Sequence, residues 1–157
     1  MPRRPYKKIN VKQDPVYKSL ETAKLINYII KDGKKSVAKK IVYNVFDRLN
    51  KEKNDPIKVL SQAINNVAPT YEVKPRRLGG ASYLVPIEVR RDRRLFLALN
   101  WIVEAANSRS NKEYKKFENK LYTELVEASK NQGNAVAKKN QTEKLAEANK
   151  AFAHLKW

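Results

Sequence analysis

Residues 73–94 have the sequence VKPRRLGGASYLVPIEVRRDRR, which interrupts an otherwise helical pattern with an extended, arginine-rich segment. Gly79 and Gly80 provide a place where the backbone can adopt positive φ, and the residues that follow them have high strand propensity. Pro75 and Pro86 cannot donate to a sheet ladder, so they suit an isolated pair of strands. The segment predicts a protruding two-stranded β-ribbon over about residues 72–90.

Arginine dominates the charge of this ribbon. Two arginines precede the turn and four lie at the base, at Arg76, Arg77, Arg90, Arg91, Arg93 and Arg94. With Tyr83 between the two groups, planar guanidinium forks beside an aromatic ring suit phosphate pairing and base stacking. The alternative is a solvated hairpin that keeps the protein soluble, but lysine is the usual solubilising residue. The composition therefore favours contact with nucleic acid.

Helical periodicity lies on both sides of the ribbon. Apolar spacing and caps predict six helices, which begin near Asp14, Val37, Asp55, Asp92, Ser110 and Asn134. Asp14, Asp55 and Asp92 are predicted N-caps, and Ser110 with Glu113 has the pattern of a capping box. The predicted architecture is mainly α, a six-helix bundle that carries one β-ribbon, in a single domain over residues 1–157.

Several residues are assigned to the core or to helix ends by the same patterns. The first helix is predicted to end at Asp32-Gly33 and the fifth at Gly133. Val37 and Leu145 are assigned to apolar helix faces. Trp101 lies within a long apolar run, so it is assigned to the core and not to a stacking platform.

The charge of the chain indicates a polyanionic partner. The 157 residues contain 34 Lys+Arg against 16 Asp+Glu, a formal net charge of +18. Residues 1–13 form a basic arm without acidic residues, and further lysines occupy the connection after the first helix. The positions in the arm and the connection that are predicted to contact the polyanion are Arg3, Arg4, Lys7, Lys8, Lys34 and Lys35.

Cysteine is absent, which excludes a disulfide framework and a thiolate metal site. No apolar run approaches the roughly 18 residues that span a bilayer, and the first residues lack the apolar core of a secretory signal. We therefore expect a soluble, cytoplasmic protein without a membrane partner.

The sequence offers little for catalysis. His154 is the only histidine, and neither a GxGxxG nor a Walker motif is present. A carboxylate-based nuclease site is formally possible through Glu88 and Asp92, but both are flanked by arginines, and ion pairing accounts for them. We predict no enzyme activity, no metal, no cofactor and no small-molecule substrate.

Two binding functions remain open on charge alone. The first is a structural RNA-binding protein, and the second is a DNA architectural protein that inserts a basic ribbon arm into a minor groove. Architectural proteins of that type work as dimers with two arms. This chain is instead expected to bury its apolar helix faces within a single copy.

Three groups of motifs together resemble the bacterial-type form of the small-subunit ribosomal protein seven family. They are DPVYKS at residues 14–19 with IN at 26–27 and GK at 33–34, PRRLGGASYLVPIEV at residues 75–89, and ANKAFAHLKW at residues 148–157. These motifs are distributed over nearly the whole length of the chain. The resemblance implies a six-helix fold with a β-ribbon arm.

The resemblance also implies a function. The family binds the 3′ major domain of small-subunit ribosomal RNA (rRNA) early in assembly, organises the head of the subunit beside neighbouring head proteins, and lies near exit-site tRNA and the mRNA path. Carried over by motif, the N-terminal arm, the Lys34 and Lys35 connection and the ribbon arginines contact rRNA. The ribbon residues near tRNA and mRNA are then Arg77, Gly79, Gly80, Ser82 and Tyr83.

Overall fold

A computed structural model describes residues 11–155, so the predicted contacts of Arg3, Arg4, Lys7 and Lys8 lie outside the described residues. The elements are α1 (Leu20–Ile29), α2 (Lys35–Lys51), α3 (Pro56–Val67), β1 (Tyr71–Leu78), β2 (Ala81–Glu88), α4 (Arg91–Ser108), α5 (Asn111–Tyr114), α6 (Phe117–Ser129), α7 (Asn134–Ala148) and a C-terminal 3₁₀ helix (Lys150–Leu155). The predicted mainly helical fold with one two-stranded β-ribbon is confirmed.

The apolar core surrounds α4. This helix packs against α1, α3, α6 and α7, because apolar residues occupy most of its circumference between Leu97 and Ala106. Trp101 is 7% exposed, which confirms its assignment to the core. The largest fully buried apolar side chains are Leu25, Ile26, Val42, Val45, Phe46, Leu49, Leu60, Leu99, Ile102, Leu121 and Leu125. Each contributes roughly 1.5 to 3 kcal/mol of transfer free energy.

The ribbon connects α3 to α4. Its strands pair antiparallel from Tyr71 opposite Glu88 to Leu78 opposite Ala81. Gly79 and Gly80 have φ of 54° and 90°, and this two-residue turn with positive φ matches the twist of the strands. At the base, α7 packs against β1 and the 3₁₀ helix packs against β2. The base of the ribbon is therefore held by the C-terminal helices, while its tip is exposed.

The predicted N-cap at Asp14 is wrong. α1 begins at Leu20, and Ser19 Oγ accepts a hydrogen bond from the Thr22 backbone N–H at 3.3 Å. Lys18 has φ of 48°, so a helix cannot run through it. The buried Asp14 carboxylate instead closes a turn, and Oδ1 accepts a hydrogen bond from the Tyr43 hydroxyl at 2.8 Å.

Tyr43 gives the stability of this turn a pH dependence. Burial and the hydrogen bond to Asp14 raise the pKa of Tyr43 from 10.0 to about 12. Because the folded state holds this proton more tightly, the contribution is complete below pH 10 and is lost as pH rises through about 12. We expect the difference in unfolding free energy between the parent and Tyr43→Phe, measured by urea titration, to shrink over this interval. A constant difference would contradict the assignment, and Tyr71→Phe, at an exposed site, gives the baseline.

Of the two other predicted aspartate N-caps, one is confirmed and one is wrong. Asp55 caps α3 as predicted, since Oδ1 accepts from the Ile57 N–H at 3.0 Å. Asp92 is not a cap, because Arg90 has an extended backbone and the helix begins at Arg91. Asp92 lies in the first turn of α4, where a carboxylate favours the helix dipole.

The predicted fifth helix is broken. Ser110 caps α5 through the Lys112 N–H at 3.2 Å, but Lys115 has φ of 51°, and α6 begins only at Phe117. α6 ends at Ser129 and not at Gly133, and α1 ends at Ile29, before Asp32-Gly33. Asn131 has positive φ between α6 and Gly133, whereas α1 ends earlier than predicted because Ile30, with φ of −57° and ψ of 126°, is not helical.

Two assignments to apolar helix faces are also wrong, because Val37 is 53% exposed and Leu145 is 47% exposed. Val37 lies in the first turn of α2 beside an open groove. α7 faces the core only through Ala135, Val136 and Ala146.

Candidate RNA interface

A groove of about 1150 Å³ lies where the ribbon returns to the helices. Its walls come from the start of α1, the end of α3, the end of β2 and the first turn of α4. The cationic side chains that line it are Lys24, Arg90, Arg91 and Arg94. We call this site the arginine groove. It unites three of the predicted base arginines with a lysine from α1 that the sequence reasoning missed.

The local fold explains why these arginines share one groove. Arg90 is extended and precedes the helix, whereas Arg91 and Arg94 are three residues apart in its first turn and therefore lie on one side. All three side chains are exposed. Guanidinium groups pair with phosphate through two parallel hydrogen bonds, and the N-cap residue of α4, Arg90, makes no capping hydrogen bond with its side chain. The groove therefore offers several donors to an anion.

Carboxylates also line the arginine groove, namely Glu21, Glu88 and Asp92. Four cations against three carboxylates leave the lining only weakly positive, so the long-range attraction of RNA comes from the +18 of the whole chain. The groove adds guanidinium forks at fixed places. Within residues 11–155 no group of three His, Cys, Asp or Glu side chains could hold a metal ion.

Arg93 is separated from the other base arginines. Its Nε donates to Glu72 Oε2 at 3.2 Å, and its guanidinium carbon lies 4.8 Å from the centre of the Phe96 ring. The contact with Glu72 joins β1 to α4. Arg93 thus fixes the ribbon on the helix, and it does not line the arginine groove.

The predicted site residues of the ribbon are half-buried toward its base and exposed at its tip. Arg76 and Tyr83 are paired across the strands and half-buried, and the Tyr83 ring lies 5.2 Å from that of Phe152. Arg77 and Ser82 form the next pair toward the tip, and both are exposed along with the two turn glycines. A Cβ at either glycine would meet no atom within 4 Å, so positive φ is what requires glycine here.

Lys34 and Lys35 lie in and after the connection between α1 and α2, away from the arginine groove lining. Both are exposed, and Lys34 is the N-cap residue of α2 without a capping hydrogen bond from its side chain. Positive charges at the N-terminal end of a helix oppose its dipole. An anion bound there would relieve this unfavourable arrangement.

The described part of the chain contains no helix that is long and apolar enough to cross a membrane.

The full sequence matches the family model described as ribosomal protein S7p/S5e over residues 1–150. The chain belongs to the S7p/S5e family. A small ribosomal subunit protein uS7 from Caldicellulosiruptor bescii is 52% identical over 159 aligned positions, which cover 100% of both chains.

Two further uS7 proteins agree with this membership. That of Acetivibrio thermocellus is 52% identical over 96% of this chain and 95% of its own length, and that of Thermotoga maritima is 49% identical over 100% of both chains. Membership in the S7p/S5e family makes this chain a structural, non-enzymatic ribosomal protein that works with rRNA and ribosomal proteins in translation. The family resemblance stated from the motifs is confirmed, and the DNA architectural alternative loses its support.

In this S7p/S5e chain a buried ion pair joins the C-terminal end of α4 to α6. Arg109 Nε donates to Glu124 Oε2 at 2.8 Å, and the two side chains are 10% and 0% exposed. Burial lowers the pKa of Arg109, but hydrogen bonds with Glu127 and Glu124 outweigh this and raise it. Glu124 Oε1 also accepts from the Ala135 N–H at 2.9 Å, so the pair fixes the start of α7.

The sequence reasoning did not identify this cluster. The available signal was Glu124 followed by Glu127 on one face of α6, with an arginine in the connection just before α5. A Cβ at Gly133 would lie 3.1 Å from oxygens of both glutamates, and Gly133 has φ of 94°. Gly133 is therefore needed both for its backbone conformation and for the space that the glutamates occupy.

Proposed function

We propose that this chain is a primary rRNA-binding protein that organises the head of the small subunit through the 3′ major domain. The observation that carries this proposal is the grouping of Arg90, Arg91 and Arg94 in one groove at the base of the ribbon. A helical body with guanidinium forks at a fixed spacing suits the phosphates of a folded RNA. Residues 1–157 then act as one domain, with the basic arm at 1–13 and the ribbon at about 72–90.

The ribbon tip has a second role in this proposal, at the tRNA exit site and the mRNA path. The exposure of Arg77, Gly79, Gly80 and Ser82 supports it, because a narrow exposed hairpin can enter a space that the helical body cannot. Tyr83 would set the position of the tip through its contact with Phe152.

The other basic residues predicted to contact rRNA would add to the affinity. These are Arg3, Arg4, Lys7, Lys8, Lys34, Lys35, Arg76 and Arg93. Neighbouring head proteins are the expected protein partners, and the chain works in the cytoplasm, bound to the ribosome.

The arginine groove can be tested by charge removal. We expect the triple variant Arg90→Gln, Arg91→Gln, Arg94→Gln to bind a 3′ domain RNA fragment at least about tenfold more weakly, since a charge-assisted hydrogen bond contributes about 1.5 to 3 kcal/mol. The slope of log affinity against log salt should become shallower by about 2 to 3, since each phosphate contact contributes roughly 0.7 to 0.9. Filter binding over a salt series measures both.

The matched control removes three cations outside the groove, with Lys51→Gln, Lys53→Gln and Lys58→Gln. All three are exposed near the connection of α2 to α3. An equal loss in both triple variants would mean that only net charge matters. Tighter binding of duplex DNA than of the RNA fragment, together with sedimentation as a dimer, would favour the DNA architectural alternative.

A further inference from the structure

A second groove, of about 450 Å³, lies between the end of α1, the start of α2 and the facing sides of α4 and α6. Its floor is apolar and includes the buried side chains of Ile29, Ala38 and Val103. Its rim is net positive, because Lys31 and Lys34 are exposed there beside the single carboxylate of Asp32. We call it the apolar groove. Its volume falls in the range of sites that bind small ligands.

We propose that the apolar groove receives one unpaired nucleobase of the rRNA, with Lys31 and Lys34 on the phosphates beside it. This inference rests on the proposed rRNA binding and names the chemistry of one contact. A nucleotide supplies an apolar planar ring and an adjacent anion, which is the combination of floor and rim found here. Unstacked bases of RNA loops are commonly recognised on aromatic side chains.

The side walls of the apolar groove contain aromatic rings on which a nucleobase can stack. Tyr28 and Phe117 line the groove as half-buried aromatic rings. The Tyr28 ring meets the Phe96 ring edge to face at 5.6 Å, which fixes its orientation. The rim also contains Asn107 and Asp32, whose amide and carboxylate can hydrogen-bond the polar edge of a base. A fixed aromatic wall and polar groups at the rim together favour a base over a purely electrostatic contact.

The surroundings argue for RNA and against a protein segment. An apolar peptide would leave Lys31 and Lys34 without an anionic partner, whereas RNA neutralises both. Val37 at the rim is 53% exposed, and a stacked base would cover it. Lys35, the first residue of α2, is also exposed and adds positive charge next to Lys34 in the chain.

The absence of cysteine permits a direct test. In the full-length variant Val37→Cys the single thiol lies at the rim of the apolar groove. We expect a 3′ domain RNA fragment to protect this thiol from maleimide. Attachment of a bulky neutral maleimide before RNA is added should weaken binding by about tenfold or more, the scale of one lost base stack, and part of this loss should persist at high salt.

The control variant is Ile57→Cys on α3, with 38% exposure and outside the groove, which RNA should not protect. A loss of affinity that disappears at high salt would mean that the site holds phosphate only, and unchanged affinity would overturn the proposal. Protection in the intact subunit but not by RNA would assign the groove to a protein neighbour. If the unmodified parent binds RNA without salt dependence, the proposed function itself fails, and the two failures are thereby distinguished.

Discussion

Replacement of Arg109 by methionine is expected to lower the free energy of unfolding by about 3 to 5 kcal/mol. The substitution leaves the fully buried carboxylate of Glu124 without its charged partner, whereas the parent pair is satisfied by hydrogen bonds on both sides. A loss of this size is a large fraction of the roughly 5 to 15 kcal/mol that stabilise a domain. Urea unfolding followed by circular dichroism at neutral pH measures it.

The matched control is Lys138→Met, which breaks the ion pair with Glu104. Both side chains of that pair are about half exposed, at 48% and 49%, so the expected loss is at most about 1 kcal/mol. Similar losses in the two variants would show that burial does not decide the strength of the Arg109 pair.

A second comparison separates the charge of Glu124 from its hydrogen bond. In Glu124→Gln the side-chain oxygen can still accept from the Ala135 N–H, and Arg109 keeps its contact with Glu127. The expected loss is therefore smaller than for Arg109→Met. Because α7 packs against β1 and Glu143 Oε1 accepts from the Thr70 N–H at 2.9 Å, loss of the pair should also loosen the base of the ribbon.

The predictable parts of this fold are those in which neighbouring residues decide the structure. Asp55 followed by proline gives a helix start, and two glycines between strand-forming residues give a hairpin, because each pattern acts over a few residues. Trp101 could be placed in the core because it lies within the long apolar run of α4. These features needed no knowledge of distant parts of the chain.

The failures have a common physical cause. Asp14 has the local pattern of an N-cap, but its partner Tyr43 lies 29 residues away and draws it into a different turn. Lys115 breaks a helix that local propensity favours, through positive φ in a residue that is not glycine. Contacts distant in sequence can override local preference, and nothing in the local pattern reports them.

The candidate interface was predictable to the extent that its members are adjacent in the chain. Arg90, Arg91 and Arg94 belong to one short run, so the sequence could group them. Lys24 joins them only through the packing of α1 beside α4, and Arg93 leaves them because of its contact with Glu72. The direction of a side chain on a helix thus decided which arginines share the groove.

Removal of the ribbon tip should separate two functions of the chain. The strand register allows residues 77–82 to be deleted without shifting the pairing of the remaining strands. Arg76 is directly opposite Tyr83, and this pair lies two positions along the strands from the pair of Leu78 with Ala81, which flanks the turn. An Asn-Gly turn between Arg76 and Tyr83 therefore retains the hydrogen-bonding pattern of the hairpin. The contact of Tyr83 with Phe152 and all buried helix faces are kept.

We expect this deletion to leave rRNA binding and head assembly largely intact, because only one cation, Arg77, is lost. The salt slope should fall by no more than about 0.7 to 0.9, and Arg77→Gln in the intact ribbon gives the matched control for that charge. Retention of exit-site tRNA and maintenance of the reading frame, measured with reconstituted subunits, should be impaired in the deletion and much less in Arg77→Gln. If translation with the deleted protein is indistinguishable from translation with the parent, the tip is only a solvated turn without a role at the exit site. Complete loss of rRNA binding would instead mean that the affinity resides in the tip, contrary to the role proposed for the arginine groove.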